Sequence, residues 1–391
     1  MSQEVIALNP CLQKLKNEGF KVEIRGAYLL VHHVPYLNEK RNVKDGLLVM
    51  SITTSGRIAE YPEVHTAFLA GEIPIGYDGK PNKYINDGLQ IPKLSEDVQP
   101  NIGFSRMPDD GMYKDYYDKV IAYTNMLSGP AQAQDPTECE RIKNLSFEIS
   151  ESSPFVYPDT NSGRAGIEGL TELFNSMKIA IVGLGGTGSY VLDKVAKVPV
   201  KEIHLFDDDV FMNHNAFRAP GAASLNELEE KPLKVDYFAA MYSKMRTVIV
   251  AHPVKITPQN DDLLDGFDFV FICVDNRDAR ESIAYSLVEK RIPFIDSGMG
   301  AEVVNDKILG IVRTTLSFGA NYGHLKHCFA SDGSSEDIYS SSIQIAELNS
   351  LAADLAVIRW KRFVGFYKDE QCELNSLYSF SGNVLTNARD D

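Results

Sequence analysis

The 391-residue chain carries 39 Lys plus Arg against 54 Asp plus Glu, for a formal net charge of -15, with 44% hydrophobic and 24% charged residues. That length allows two domains, the composition is ordinary for a globular chain, and the acidic balance without any Lys/Arg run argues against tRNA or DNA as a substrate. No apolar run approaches the ~20 residues needed to span a bilayer, and no basic segment precedes an apolar core at the N-terminus, so no membrane attachment and a cytoplasmic location are expected. Cys11, Cys139, Cys273, Cys328 and Cys372 are scattered and form no C-x-x-C pair, which argues against a disulfide framework and a four-cysteine zinc site.

Residues 1–150 are expected to form a smaller α+β domain. "NPCLQKLKNEGF" reads as a short helix with Asn9 as its cap and Pro10 at its first position. Strand-like alternation follows through "KVEIRGAYLLVHHVPYL". His32 and His33 are adjacent there, and adjacent strand positions face opposite sides, so one is expected in the core and one at the surface. "GLLVMSITTSG" is a further β-branched run, and "GEIPIGYDGKPNKYINDG" is a loop. "DYYDKVIAYTNMLSG" reads as a helix closed by glycine, its aromatics engaged in packing. "SGPAQAQDP" and "ESSPFVYPDTNSGRAG" suggest a linker region, with 151–170 as an arm between domains.

From Met177 the pattern changes to short apolar strands alternating with helices. "KIAIVG" precedes a helix over roughly 187–197. "EIHLF", a helix over "LKVDYFAAMYSKM", "TVIVAHP", "FDFVFICVD", a helix over "ARESIAYSLVEK" and "PFIDSG" follow. This alternation implies βαβ units and a doubly wound, Rossmann-like parallel sheet over 171–391. His204 in "EIHLF" is expected to be strand packing. "KILGIVRTTLSF" reads as a strand, "IQIAELNSLAADLAVIRWKRFVGF" as a long helix with Trp360 on its apolar face, and "SLYSFSGNVL" as an edge.

The candidate site begins at Gly183, Gly185 and Gly188, a G-x-G-x-x-G string after a predicted strand, with Gly186 as an additional glycine. Glycines allow the tight turn and let phosphate oxygens approach backbone N–H groups, and the following helix points its positive end at them. Asp207, at the end of the next strand, is placed to bind ribose hydroxyls. Close packing of helix on strand is the bland alternative for the glycines. Asp209, Asn215, Arg218, Lys231 and Lys234 come next. A nicotinamide site has no need of an Arg and a Lys there; a triphosphate has, because cations offset the charge of departing pyrophosphate. The strand "FICVDN" ends on Asp275 and Asn276, and a carboxylate beside phosphates suits Mg2+.

Glycine loop, D-x-D, N-x-x-R, a lysine at a helix start and C-x-D-N together resemble the ThiF/MoeB and ubiquitin-activating superfamily over roughly 164–365. The N-terminal region resembles the domain preceding some bacterial members in ubiquitin-like conjugation operons. The resemblance implies an adenylyltransferase that uses ATP and Mg2+ on the C-terminal glycine of a small ubiquitin-like or sulfur-carrier protein. By motif, Asp207 would hold the ribose, Asn215 and Arg218 the triphosphate, Lys234 the α-phosphate region with Lys231 as rival, and Asp275 the Mg2+. Arg164 is the candidate for an arginine that reaches the partner subunit's site in a homodimer, or else a surface arginine. Cys328, beside His324, Lys326 and His327, is the candidate acyl acceptor, or else an incidental loop cysteine.

Cys273 lies in an apolar run and is expected in the core. Residues 1–150 have the length of a conjugating domain but no histidine-proline-asparagine string, so a docking role for the carrier or a conjugating enzyme is expected instead. A nicotinamide-dependent oxidoreductase, a non-catalytic nucleotide-binding subunit and a tRNA dehydratase remain the alternative function classes.

Overall fold

The computed structural model describes residues 2–94, 97–147, 153–319, 322–325 and 343–388. Its contacts divide the chain into two units, Met1–Glu172 and Leu173–Asp391. In the first, α1 (Ser2–Leu8) and α2 (Pro10–Asn17) precede β1 (Lys21–Arg25), β2 (Tyr28–Leu37) and β3 (Val43–Ser51). A short hairpin of β4 (Thr54–Ser55) and β5 (Ile58–Ala59) leads to β6 (Thr66–Ala70) and β7 (Ile102–Ser105). The main sheet is five-stranded, in the order β1-β2-β3-β6-β7, and antiparallel throughout. Leu12, Leu15, Val31, Leu48, Leu69 and Phe104 pack with Val120 and Leu127 of α3 (Tyr116–Gln134), so helices cover one face of the sheet.

Three details depart from the sequence expectations. Asn9 sits at the N-cap position of α2 but makes no side-chain cap. Its Nδ2 donates to the carbonyls of Val5 (2.6 Å) and Arg57 (2.8 Å), and its Oδ1 accepts from the Ala59 N–H (2.7 Å), so it fastens the β4–β5 hairpin to the helices. Second, α3 does not stop at Gly129. It runs through Pro130 to Gln134, because Leu127, Pro130 and Ala131 continue its buried face, and α4 (Pro136–Lys143) follows with Asp135 as its cap. "SGPAQAQDP" is therefore largely helical and not linker. Third, the register of β2 against β3 shifts between Val31 and Val34, and His33 has φ 57. That bulge removes the strict alternation, so both histidines are half-buried: His32 lies 3.0 Å from Glu23 and His33 2.8 Å from Asp45.

The segment after α4 carries α5 (Thr160–Arg164) and α6 (Glu168–Thr171). The Glu168 carboxylate accepts the Ala27 N–H at 2.7 Å, and burial pushes its carboxyl up to about 7. Lys119 of α3 is wholly buried, donates to the Val64 carbonyl at 2.9 Å, and burial lowers its ammonium to about 7.

The second unit is built on β8 (Lys178–Val182), β9 (Glu202–Phe206), β10 (Ile249–His252), β11 (Phe269–Ile272) and β12 (Phe294–Val304). β13 (Lys307–Ser317), β14 (Asn375–Ser379) and β15 (Val384–Ala388) complete it. The sheet is eight-stranded, in the order β10-β9-β8-β11-β12-β13-β14-β15. It is parallel from β10 to β12 and antiparallel beyond. "PFIDSG" is only the start of β12, which continues as a long hairpin with β13. Runs such as "KIAIV" and "FVFI" are apolar on both faces because helices cover both faces of a parallel sheet.

Those helices are α7 (Gly186–Val195), α8 (Asn213–Ala216), α9 (Leu225–Glu229), α10 (Lys234–Tyr242), α11 (Arg277–Lys290) and α12 (Ala346–Val364). Trp360 of α12 is fully buried against Phe174, Phe269 and Phe271. His204 does pack on the sheet, where its Nδ1 lies 2.9 Å from Nε2 of His252. Buried Arg246 donates to the carbonyls of Ala196 (3.3 Å), Val198 (3.0 Å) and Val200, satisfying the carbonyl end of α7 and the turn after it. Among the described residues no helix is long and apolar enough to cross a membrane.

Glu168 and Lys119 give the first unit a pH signature. Glu168 rises from 4.5 to about 7 on folding, so its stabilisation is full below pH 4.5 and is lost as pH rises to about 7. Lys119 falls from 10.5 to about 7, so stability grows as pH rises from about 7 to 10.5. Melts across pH should show Glu168→Gln flattening the acid limb and Lys119→Met the alkaline limb; a wild-type-minus-variant difference independent of pH would contradict either assignment.

Candidate nucleotide site at the carboxyl edge of the sheet

The turn from β8 into α7 is shaped by close backbone approach. Gly183 has φ +90, and a Cβ there would lie 2.9 Å from the Cys273 backbone at the end of β11. A Cβ on Gly188 would lie 1.8 Å from the Gly183 carbonyl oxygen. Both positions require glycine for the turn itself. Gly185 is different, since a Cβ there would meet nothing within 4 Å. It leaves open space directly before the free N–H groups of the first turn of α7, where an anion is favoured.

The end of β9 is tied to this loop. The Gly183 N–H donates to the Phe206 carbonyl (2.8 Å), and the Leu184 N–H donates to Oδ2 of Asp207 (2.7 Å). Oδ1 of Asp207 accepts from the Asp209 N–H (2.9 Å). Lys234, at the start of α10, places Nζ 3.4 Å from Oδ1 of Asp207 and 2.6 Å from Oδ2 of Asp209. Its side chain is only 7% exposed, whereas Lys231 is exposed in a turn at φ 50. Of the two lysines, Lys234 is therefore the one turned inward.

Asn215 is buried and its Oδ1 accepts the Met212 N–H (2.9 Å), which fixes the loop after β9. Arg218 follows, and its buried Nε has no hydrogen-bond partner among the described residues. At the end of β11, Asp275 is exposed, and Asn276 caps α11 by accepting the Ala279 N–H at 2.9 Å. The strand ends thus gather the glycine loop, Asp207, Asp209, Lys234, Asp275 and Asn276 at one edge, the carboxyl ends of parallel strands where ligands of such sheets sit.

Arg164 ends α5 in the first unit, where it is exposed and 3.1 Å from Glu63, an ordinary surface pair. Cys328, Lys326 and His327 lie outside the described residues; His324 Nε2 donates to the Leu316 carbonyl at 2.9 Å. Burial pushes the Cys273 thiol up to about 12, so it is a packing group at neutral pH. Cys372 is exposed after α12. Sequence reasoning missed Thr187 and Asn349, which meet at the first turn of α7 with Oγ1 to Oδ1 at 3.2 Å. The trace of this contact was the additional glycine at 186, where a Cβ would lie 2.1 Å from Nδ2 of Asn349.

The two kinds of glycine should separate experimentally. Gly188→Ala forces backbone apart and should cost ~3 kcal/mol in denaturant titrations. Gly185→Ala should leave stability within about 0.5 kcal/mol, since its Cβ enters open space. Equal losses for the pair would contradict this division.

A family model described as ThiF family matches residues 159–317, and one described as a domain of unknown function, DUF6791, matches residues 10–160. The ubiquitin-like modifier-activating enzyme 5 of Caenorhabditis briggsae is 25% identical over 202 residues, 47% of this chain and 45% of that protein. Its counterpart in Drosophila mojavensis is 29% identical over 185 residues, 43% of this chain and 45% of that protein. The chain therefore spans less than half the length of these curated relatives. Among solved structures, E. coli MccB + MccA-N7isoASN aligns with a TM-score of 0.48 and 16% identity, covering 78% of this chain and 95% of that chain. The family match is laid over β8 to β13, so residues 159–317 carry a ThiF family domain.

Proposed function

We propose that this chain is an ATP-dependent adenylyltransferase acting on the C-terminal glycine carboxylate of a small ubiquitin-like or sulfur-carrier protein. The observation that carries this reading is the ThiF family match on a sheet edge that gathers an open glycine turn, a buried lysine and an exposed carboxylate. The substrate carboxylate oxygen bonds to the α-phosphorus as the bond to the bridging oxygen of pyrophosphate breaks, giving an acyl-adenylate and pyrophosphate. Positioning and charge neutralisation are the protein's contribution, and no protein nucleophile is needed for this step.

The N–H groups at the start of α7 receive phosphate oxygens across Gly185. Arg218, whose Nε is unsatisfied among the described residues, serves the triphosphate with Asn215. Lys234 serves the α-phosphate region. Asp207 holds ribose hydroxyls through the lone pairs its two backbone bonds leave. Asp275 is exposed, and its carboxylate oxygens suit a hard cation. Mg2+ held there would neutralise charge on the phosphates.

Transfer of the acyl group to Cys328, the docking of a conjugating enzyme or the carrier on residues 1–150, a homodimer and a cytoplasmic bacterial conjugation setting belong to the same reading. They are supported by the sequence resemblance alone.

ATP–pyrophosphate exchange tests the proposal. Exchange should require Mg2+ and a glycine-ending ubiquitin-like partner, and should fall by about 100-fold or more in Asp275→Ala and Arg218→Ala. Binding of NADH with no exchange for any partner would overturn it. A thioester sensitive to reductant and absent in Cys328→Ala would identify the acceptor.

A further inference from the structure

Helix α12 reaches the first turn of α7 through one polar side chain. Asn349 is fully buried, and its Oδ1 accepts the Thr187 hydroxyl at 3.2 Å. Its Nδ2 packs against Gly186, where a Cβ would lie 2.1 Å away. That Nδ2 has no hydrogen-bond partner among the described residues. A buried donor without an acceptor is costly, and native folds keep few of them. Asparagine is also a poor helix former, and an alanine or leucine on α12 would avoid both costs. The N–H groups of the first turn of α7 and Nδ2 of Asn349 are donors without partners among the described residues. Donors without acceptors beside a helix N-terminus are complementary to one class of ligand, an oxyanion such as a phosphate.

We propose that Asn349 is a positioning residue for the phosphates of the nucleotide, an inference that rests on the adenylyltransferase reading above. It acts through α7. Its carboxamide oxygen fixes the Thr187 hydroxyl, its Nδ2 seats Gly186, and its donor dipole adds to the positive end of the helix. The glycine at 186 is the steric counterpart of this side chain, whereas the bare Gly185 face is left for the ligand.

The test uses the full chain, with ATP and Mg2+ titrated by calorimetry and the ligand-free protein melted thermally. Asn349→Asp keeps the shape and the acceptor for Thr187 but sets a negative charge at the start of α7. Burying that charge costs more than the helix dipole returns, so the melting temperature should fall, and because the carboxylate also repels phosphate, the ATP affinity of the folded protein should fall by about tenfold. A merely structural role would lower the melting temperature and leave the ATP affinity of the folded protein unchanged. Thr187→Val keeps shape and removes the hydroxyl, and should weaken ATP by about fivefold; it decides the matter should Asn349→Asp fail to fold. Wild-type affinity in a folded Asn349→Asp, or in Thr187→Val where Asn349→Asp does not fold, would overturn this inference alone. No ATP binding by the wild type would overturn the adenylyltransferase reading and the inference with it.

Discussion

One buried ammonium group organises the site. Lys234 lies between Asp207 and Asp209, and Asp207 in turn accepts the Leu184 N–H of the glycine turn. An isolated charge this deeply buried would carry a desolvation penalty of several kcal/mol; two carboxylates and their backbone bonds offset it. The result is that three segments distant in sequence, the turn after β8, the end of β9 and the start of α10, are held in one network. Since Lys234 also hydrogen-bonds through its own N–H to the Asp209 carbonyl at 2.9 Å, helix start and strand end are locked together twice. The site's shape therefore depends on electrostatics at its floor, not on loop packing alone.

Much of this was legible in the chain because each element has a local cause. Apolar strands, the glycine string and the position of Asp207 and Lys234 follow from periodicity and residue type, and "SLYSFSGNVL" did become the β14–β15 edge. What stayed hidden depends on distant contacts. Asn9 reads as a helix cap, yet its side chain serves the carbonyls of Val5 and Arg57, the latter 48 residues away. No local rule anticipates that. The bulge at His33 is invisible too, because alternation assumes an unbroken register, and the shift between Val31 and Val34 breaks it. Pro130 and Gly129 look like a helix end, but burial of Leu127, Pro130 and Ala131 overrides their local preference.

Buried polar groups are managed in two ways. In the second unit, buried charges are paired or spread over carbonyls: Asp296 sits 2.8 Å from Arg280 and 2.5 Å from Arg313, and Arg246 serves three carbonyls of the turn after α7. In the first unit, Glu168 and Lys119 have mainly backbone partners, and burial moves both toward neutrality at about 7. A neutral buried group costs less than an unpaired charged one, so Glu168 and Lys119 are tolerated by protonation state, whereas Glu23 of the same unit, between Arg25 and His32, is tolerated by pairing like the charges of the second unit. Pairing fixes geometry, which suits a site; protonation leaves only a pH-dependent stability.

The charge of the whole chain sharpens the demands on the edge of the second unit. On the proposed reading a protein of formal charge -15 would bring a triphosphate and a carboxylate together, and Lys234 is matched by Asp207 and Asp209. Attraction beyond what Lys234 supplies would then come from groups not spent within the fold. Three belong to that reading: the N–H groups of the first turn of α7, Arg218, whose buried Nε has no partner among the described residues, and the unsatisfied Nδ2 of Asn349 behind that turn. Two of these are dipoles, which act at short range and cost little to bury beside other donors when no ligand is bound, compared with a full charge. An acidic chain can therefore keep an anion site without a basic surface. Such a site would confine positive potential to a few ångströms around one helix end, and the glycine at 185 leaves that end uncovered.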